Sequence, residues 1–223
     1  MSVARRLLIV VGLKREARLA GRGGGATLCS GGDVGLLEQR LARIDPGEFS
    51  GVVSFGLAGG LDPDLSPGDL LLARSVAAPA RSYGADAALT DALAGAVKAA
   101  GLRLSDGVFA GVDDVVLTPE DKAALRRRTG AATVDMESHV AARFAAACGL
   151  PFAALRAVSD PASRALPKLA AQALTLAGGV DYGRVIAGLA RAPRELGALL
   201  EAGRDSAAAF ATLKRAGRAF AFL

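Results

Sequence analysis

The sequence predicts an α/β fold: a single-domain, three-layer sandwich whose mostly parallel, twisted central sheet is covered by helices on both faces. Three observations lead there. Short apolar runs alternate with alanine-rich stretches, of which Ser138 to Cys148 lacks Gly and Pro, the pattern of strands joined through crossover helices. The 223 residues are 52% hydrophobic and 22% charged, which supplies a full core and leaves no mark of disorder or fibrous repeat. Several apolar runs also end in glycines or carboxylates, and open α/β sheets bind ligands at the carboxyl edge of their strands.

The strand candidates are, in order, Leu7 to Val11, Ala26 to Cys29, Val52 to Phe55, Leu70 to Ala73, Gly107 to Ala110, Ala132 to Val134 and Phe152 to Val158. Each is a short apolar or β-branched run bounded by turn residues. Helices are predicted over Val34 to Ile44, Ala88 to Ala100, Pro119 to Thr129, Ser138 to Cys148 and Pro193 to Ala202. Thr118-Pro119-Glu120-Asp121 has the cap, first-turn proline and acidic first turn of a helix start. One domain is expected over residues 1–223, with a basic amphipathic helical segment at about 193–223.

Two carboxylate motifs carry the chemistry. Val134-Asp135-Met136-Glu137-Ser138 reads as a strand end running into a helix, and Leu155-Arg156-Ala157-Val158-Ser159-Asp160 as a buried strand that delivers Ser159 and Asp160 to the sheet edge. Cleaving a ribose–purine bond needs an acid at the base, a group that stabilises a ribosyl cation, and a nucleophile. A carboxyl partly withdrawn from water suits the acid role, here Asp160. An ionised carboxylate below the sugar suits the cation, here Glu137. Taken singly, these two residues also read as a turn residue and a helix N-terminal charge.

The pair, with the glycine loops that precede it, resembles the purine and uridine phosphorylase superfamily, and more closely its methylthioadenosine/S-adenosylhomocysteine nucleosidase-like branch. The resemblance spans nearly the whole chain. Gly12-Leu13-Lys14-Arg15-Glu16 follows the first strand, and the branch implies that Glu16 activates water. Cys29-Ser30-Gly31-Gly32 is similar to the loop whose backbone at Gly31 and Gly32 faces ribose or phosphate. Val52 to Leu61 is similar to the family's glycine-rich turn, which implies substrate contacts at Leu57, Ala58 and Gly59. Met136 and Ser159 are implied as further contacts. Gly111 to Val116 corresponds to the segment that holds the base; Val115 and Phe152 are candidate walls and equally candidate core. Leu57 departs from the family, which places a small polar residue there.

Within this family, four stretches resemble the hopanoid-associated phosphorylase group: Gly12 to Arg18, Ser54 to Pro63, Val134 to Ser138 and Ser159 to Pro167. That resemblance implies cleavage of adenosylhopane to adenine and ribosylhopane by water. Phosphorolysis is the alternative, since Arg156 and Arg126 to Arg128 are potential anion ligands, and a methylthioadenosine-type nucleosidase is another. Glu16, with Asp33 after the Gly31-Gly32 loop, puts negative charge where phosphate would sit, which favours hydrolysis. Relatives imply a homo-oligomer, a dimer or larger, and a small-molecule or lipid-linked adenine nucleoside as substrate.

Composition narrows the rest. One histidine and two separated cysteines leave no material for a metal site, and no cofactor is implied, because Walker and dinucleotide glycine patterns are missing. Cys29 and Cys148 read as free buried thiols, and His139 as a packed or solvent-facing ring. Net charge is +5, yet aromatics are only 4% and are not interleaved with basic residues, which argues against nucleic acid. No run of about 18 uncharged apolar residues exists, and Arg6 followed by Leu7 to Val11 reads as a strand rather than a leader. A cytoplasmic protein is expected, with contact at the inner membrane surface as one option. That option rests on the end of the chain. From Arg184 on, seven Lys or Arg stand against three acids, and Phe210, Leu213, Phe220 and Leu223 share a helical face. The segment reads either as a helix docked on the sheet or a partner subunit, or as one resting on an anionic membrane.

Overall fold

The computed structural model describes residues 6–21, 25–167 and 193–222. Its elements run β1 (Arg6–Val11), α1 (Lys14–Ala20), β2 (Ala26–Cys29), α2 (Val34–Leu41), β3 (Phe49–Gly60), β4 (Leu70–Ala77), β5 (Ser82–Gly84) and α3 (Ala87–Ala99). They continue with β6 (Ser105–Gly111), α4 (Pro119–Thr129), β7 (Thr133–Asp135), α5 (Ser138–Cys148), β8 (Phe152–Asp160) and α6 (Leu196–Ala216). This is the expected α/β architecture, with a mixed sheet at its centre. All eight strands join one sheet, ordered β2-β1-β3-β7-β6-β4-β5, and β8 pairs with both β3 and β4.

The sheet is mostly parallel, as the sequence predicts: β1 with β2 and β3, β3 with β8, β4 with β6, and β6 with β7. It is antiparallel where β3 meets β7, β4 meets β5, and β4 meets β8. Because β8 bridges β3 and β4, the path β3-β8-β4-β6-β7 returns to β3, a closed loop of strands within the sheet. The first strand shows why both faces must be covered. Leu8 and Val10 enter one core with Val52, Phe109 and Val140, whereas Ile9 and Val11 enter the other with Phe55, Leu93 and Leu155. Successive side chains of a strand point to opposite faces, so an unbroken apolar run demands two apolar layers.

Three expectations need correction. The glycine-rich stretch after Phe55 is not a turn: β3 runs on to Gly60, held first against Arg156 to Asp160 of β8 and then against β7. The segment after Gly12 becomes a helix, α1. The helix predicted to Ile44 ends at Leu41, and Arg43 and Ile44 close a tighter turn onto Arg40 and Leu41, because Asp45 precedes Pro46 and is driven to extended backbone.

At the carboxyl end of the chain the docked reading prevails. Pro193–Glu195 is a single 3-10 turn and the helix follows it. Phe210, Leu213 and Phe220 are buried in the core against β8, and the Phe220 ring meets Phe55 edge-on at 5.0 Å. The face that a membrane-resting helix would insert is therefore occupied. Leu223, Arg184 and Arg191 lie outside the described residues. Gly217, which follows α6, is required to be glycine because a Cβ there would come within 2.6 Å of the Leu19 carbonyl oxygen. Among the described residues, no helix is long and apolar enough to cross a membrane. Truncating the fully buried Leu213 to alanine is expected to cost about 3 kcal/mol of unfolding free energy through lost burial and a cavity. Urea unfolding measures it, and a loss below about 1 kcal/mol would show that α6 contributes little to the core.

Candidate active site

Glu16 sits in the first turn of α1 and reaches back to the helix start. Its Oε2 accepts from the backbone N–H groups of Gly12 at 2.9 Å and Leu13 at 2.7 Å, satisfying donors that a helix N-terminus leaves unpaired. Its Oε1 accepts from the Leu57 N–H, across on β3, at 2.8 Å. Gly56 makes this approach possible, since a Cβ there would lie 2.6 Å from Glu16 Oε1 and 2.7 Å from an Arg156 nitrogen. Burial pushes the Glu16 carboxyl up to about 7, against the opposing pull of Arg156 and with a smaller push from Glu137.

Arg156, in the middle of β8, is the hub. Its Nη2 is shared among Ser54 Oγ at 2.7 Å, Asp135 Oδ1 at 2.9 Å, Glu137 Oε2 at 3.2 Å and Ser138 Oγ at 3.3 Å. Its Nη1 donates to the Leu57 carbonyl at 3.1 Å. Burial disfavours a charge here, but the carboxylates of Asp135, Glu137 and Glu16 more than offset it and hold the guanidinium above its ordinary value. Asp135 closes the turn from β7 into α5, accepting from the N–H groups of Glu137 at 2.9 Å and Ser138 at 2.6 Å. The helix-start carboxylate is thus Asp135, which leaves Glu137 free to project into the site. There Glu137 Oε1 accepts from Ser30 Oγ at 3.0 Å, above Gly12, whose missing Cβ would stand 2.7 Å from that oxygen. Burial pushes the Glu137 carboxyl up, against the pull of Arg156.

Asp160, at the end of β8, is also buried. Ser159 Oγ donates to its Oδ1 at 2.6 Å, and the ammonium of Lys122, from α4, pairs with its Oδ2. The carboxyl expected from sequence to be partly withdrawn from water is buried and has a cationic partner. The only hint of Lys122 in the sequence was its spacing three residues before Leu125, on the one apolar stripe of a highly charged helix.

These groups converge on a cavity of about 230 Å³ with mostly apolar walls. Glu16, Glu137 and Asp160 line it, as do Gly32, Leu57, Ala58, Gly59, Val115, Met136 and Ser159. Gly12, Leu13, Val134, Asp135 and Leu166 complete the wall, with Val112 and Val116 from the segment Gly111 to Val116 that the sequence pointed to. Gly31 stands just behind, its N–H on the Gly12 carbonyl at 2.9 Å, and both loop glycines have positive φ, 73° and 76°. Phe152 does not join them. It starts β8, paired with Val52 and buried in the core, eight strand residues or roughly 25 Å from Asp160.

Other expectations also resolve. Arg156 is spent on internal carboxylates, and Arg126 pairs with Asp62 at 2.9 Å, so neither is poised for phosphate. Asp33 caps α2 by accepting from Leu36 N–H at 2.7 Å. His139 is packed, as expected, with Nε2 2.9 Å from Asp113 Oδ1 and its ring against Gly111. Cys29 and Cys148 are free but half-buried rather than buried.

Residues 38–177 match the phosphorylase superfamily. The chain belongs to that superfamily. No curated protein matches this phosphorylase-superfamily chain at a significant level, but solved structures share its fold. The methylthioadenosine/S-adenosylhomocysteine nucleosidase of Neisseria meningitidis, in complex with methylthio-immucillin-A, is similar at TM-score 0.72 and 17% identity, covering 98% of this chain and 100% of that one. Futalosine hydrolase of Helicobacter pylori is similar at TM-score 0.67 and 18% identity, over 95% of this chain and 97% of that one. The Campylobacter jejuni methylthioadenosine/S-adenosylhomocysteine nucleosidase is similar at TM-score 0.65 and 18% identity, over 82% and 95%.

Arg156→Met leaves Asp135 and Glu137 buried without their counter-charge. The expected loss is about 3–5 kcal/mol of stability, the usual cost of stripping one partner from a buried ion pair, read by urea unfolding of the purified variant. A variant as stable as the parent would mean that the hub is not structural.

Proposed function

We propose that this superfamily member is a purine nucleoside hydrolase that cleaves the N-glycosidic bond of an adenine nucleoside. One observation carries the reading: three carboxylates, Glu16, Asp135 and Glu137, crowd a single guanidinium that is already ion-paired with Asp135 and Glu137. Such a site carries excess negative charge. It repels phosphate and attracts the positive charge that develops on ribose as the base departs.

Glu16, with its raised affinity for a proton, accepts one from water. The water oxygen bonds to the anomeric carbon while Glu137, below the ribose, offsets the cationic charge. The carbon–nitrogen bond breaks with its electron pair passing to the purine, and Asp160 gives a proton to the ring nitrogen that becomes basic. Gly32, Leu57, Ala58, Gly59, Met136, Val115 and Ser159 are read as the substrate contacts. The finer substrate is adenosylhopane, giving adenine and ribosylhopane. This is supported by the sequence resemblance and by the apolar side chains of Leu13, Leu57, Val115 and Leu166 around the cavity, which accept a hydrocarbon-bearing ribose better than a polar one. A methylthioadenosine nucleosidase is the second reading, favoured by the neighbours in the fold comparison. A homo-oligomer is proposed from the family resemblance, and membrane proximity from the lipid-borne substrate.

Adenine release from adenosylhopane in vesicles, with methylthioadenosine in parallel and with phosphate present or absent, separates these readings. Phosphate-independent release is expected from both, faster from the hopanoid than from methylthioadenosine; strict phosphate dependence would sink the hydrolase reading. The base must be ionised to work, so kcat/KM should rise with pH on a limb whose midpoint is about 7. Glu16→Gln should remove both the activity and this limb, and a fully active variant would rule Glu16 out. Asp160→Asn should lower kcat by about 10²–10⁴ with KM little changed. Turnover near that of the parent would remove Asp160 as the acid.

A further inference from the structure

Among the described residues, Lys122 is the one buried cation near the cavity that the mechanism above does not use. Its side chain is fully buried. Burying an ammonium is costly unless it is paired and all its hydrogens are satisfied, and here they are. One hydrogen goes to Asp160 Oδ2, one to the Pro161 carbonyl at 2.9 Å and one to the Arg164 carbonyl at 3.0 Å. A lysine with three acceptors and no exposure has no free hydrogen to offer a ligand, and it is not among the residues that line the cavity.

Its acceptors are informative. Asp160 is the last residue of β8, and Pro161 and Arg164 belong to the strap that follows it and ends at Leu166, a cavity wall residue. The strap is fixed at two further points: Leu166 N–H on the Leu117 carbonyl at 2.8 Å, and Arg164 on Asp205 of α6. A clamp meant only for the strap would need the two carbonyls. Lys122 adds the carboxyl oxygen of Asp160, while Ser159 holds the other oxygen. Both oxygens of Asp160 are therefore fixed in plane and direction.

Resting on the reading of Asp160 as the acid, we propose that Lys122 is a positioning residue for the reaction: its ammonium, by occupying Oδ2, keeps the proton of the neutral acid on Oδ1 and aims it at the purine, and it stabilises the carboxylate left when that proton passes to the departing base. The charge acts where negative charge develops, without contact with substrate. A donor held at a fixed angle also loses no time to side-chain reorientation when the base begins to leave.

The test compares two leaving groups in Lys122→Met, Lys122→Gln, Lys122→Arg and Asp160→Asn. One substrate is methylthioadenosine, whose adenine must be protonated to depart; the other is the 4-nitrophenyl glycoside of the same 5-methylthioribose, whose nitrophenolate leaves without a proton. Lys122→Met should lower kcat for adenine release about tenfold to a hundredfold, part of what a general acid contributes. KM and the nitrophenolate rate should change less than about threefold, as for a residue that acts only as the base departs. Lys122→Arg, which keeps the charge, should recover part of the adenine rate. The ratio of the two rates is readable in any variant that folds, so failure of one variant to fold leaves the others decisive. A Lys122 variant whose two rates fall together, or neither of which falls, would overturn the positioning role. A parent protein that releases no adenine, or an Asp160→Asn variant as fast as the parent on methylthioadenosine, would instead overturn the underlying assignment of Asp160.

Discussion

The buried guanidinium of Arg156 is the constraint around which the rest of the site is built. A charge in the centre of a sheet is tolerable only when surrounded by acceptors, and the chain supplies them from five separate places: Ser54 and the Leu57 carbonyl of β3, Asp135 at the end of β7, and Glu137 and Ser138 at the start of α5. These contacts fix how the β7–α5 turn sits against β3 and β8. Residues without a Cβ follow as a requirement. At Gly56 a methyl group would collide with both Arg156 and Glu16, and at Gly12 it would collide with Glu137. The glycines of this family-like pattern are thus clearances for a buried charge network as much as a means of approaching ligand.

That network gives the three carboxylates different characters. Asp135 is a structural acceptor, tied to two backbone N–H groups and to Arg156. Glu137 shares Arg156 but directs its other oxygen to Ser30 and the cavity. Glu16 is held by three backbone N–H groups, which favour its ionised form, while burial favours the neutral one. Burial prevails, and the group is left close to half-ionised at neutral pH, the condition in which a base both accepts and releases a proton readily.

Much of the fold was legible because the strands announce themselves. All seven predicted strands recur, five with boundaries within two residues and two, from Val52 and Leu70, much longer; Pro119–Thr129 and Ser138–Cys148 recur unchanged, and all three proposed catalytic carboxylates line one cavity. What escaped was non-local. Nothing in Gly56 to Gly60 reveals that a strand continues through glycines, because the pairing that holds it comes from β8, about 100 residues later. The three-residue strand Ser82–Gly84 is too short for any periodicity. Phe152 is the right type of residue at the wrong end of its strand. Lys122 looked like one of many charges on a polar helix, and only the fold brings it to Asp160.

The terminal helix shows the same limit and joins the argument about the site. Its basic character suggested an outward-facing surface, yet its partners draw it inward. Phe210 lies under the guanidinium of Arg15, 3.9 Å from ring centre to charge, and Arg15 is the neighbour of Glu16 in α1. Asp205 and Glu201 hold Arg164 of the strap that follows Asp160. One helix therefore braces both segments that carry the proposed proton-transfer groups, the first helix with Glu16 and the strap after Asp160, from the face of the sheet opposite α5. An exposed cation–aromatic contact or ion pair is worth little alone. Here each is added to an apolar anchor, Phe210, Leu213 or Phe220, so ordering the helix for burial also orders the charges, and the distance between the two proton-transfer groups becomes a property of the core rather than of two loops.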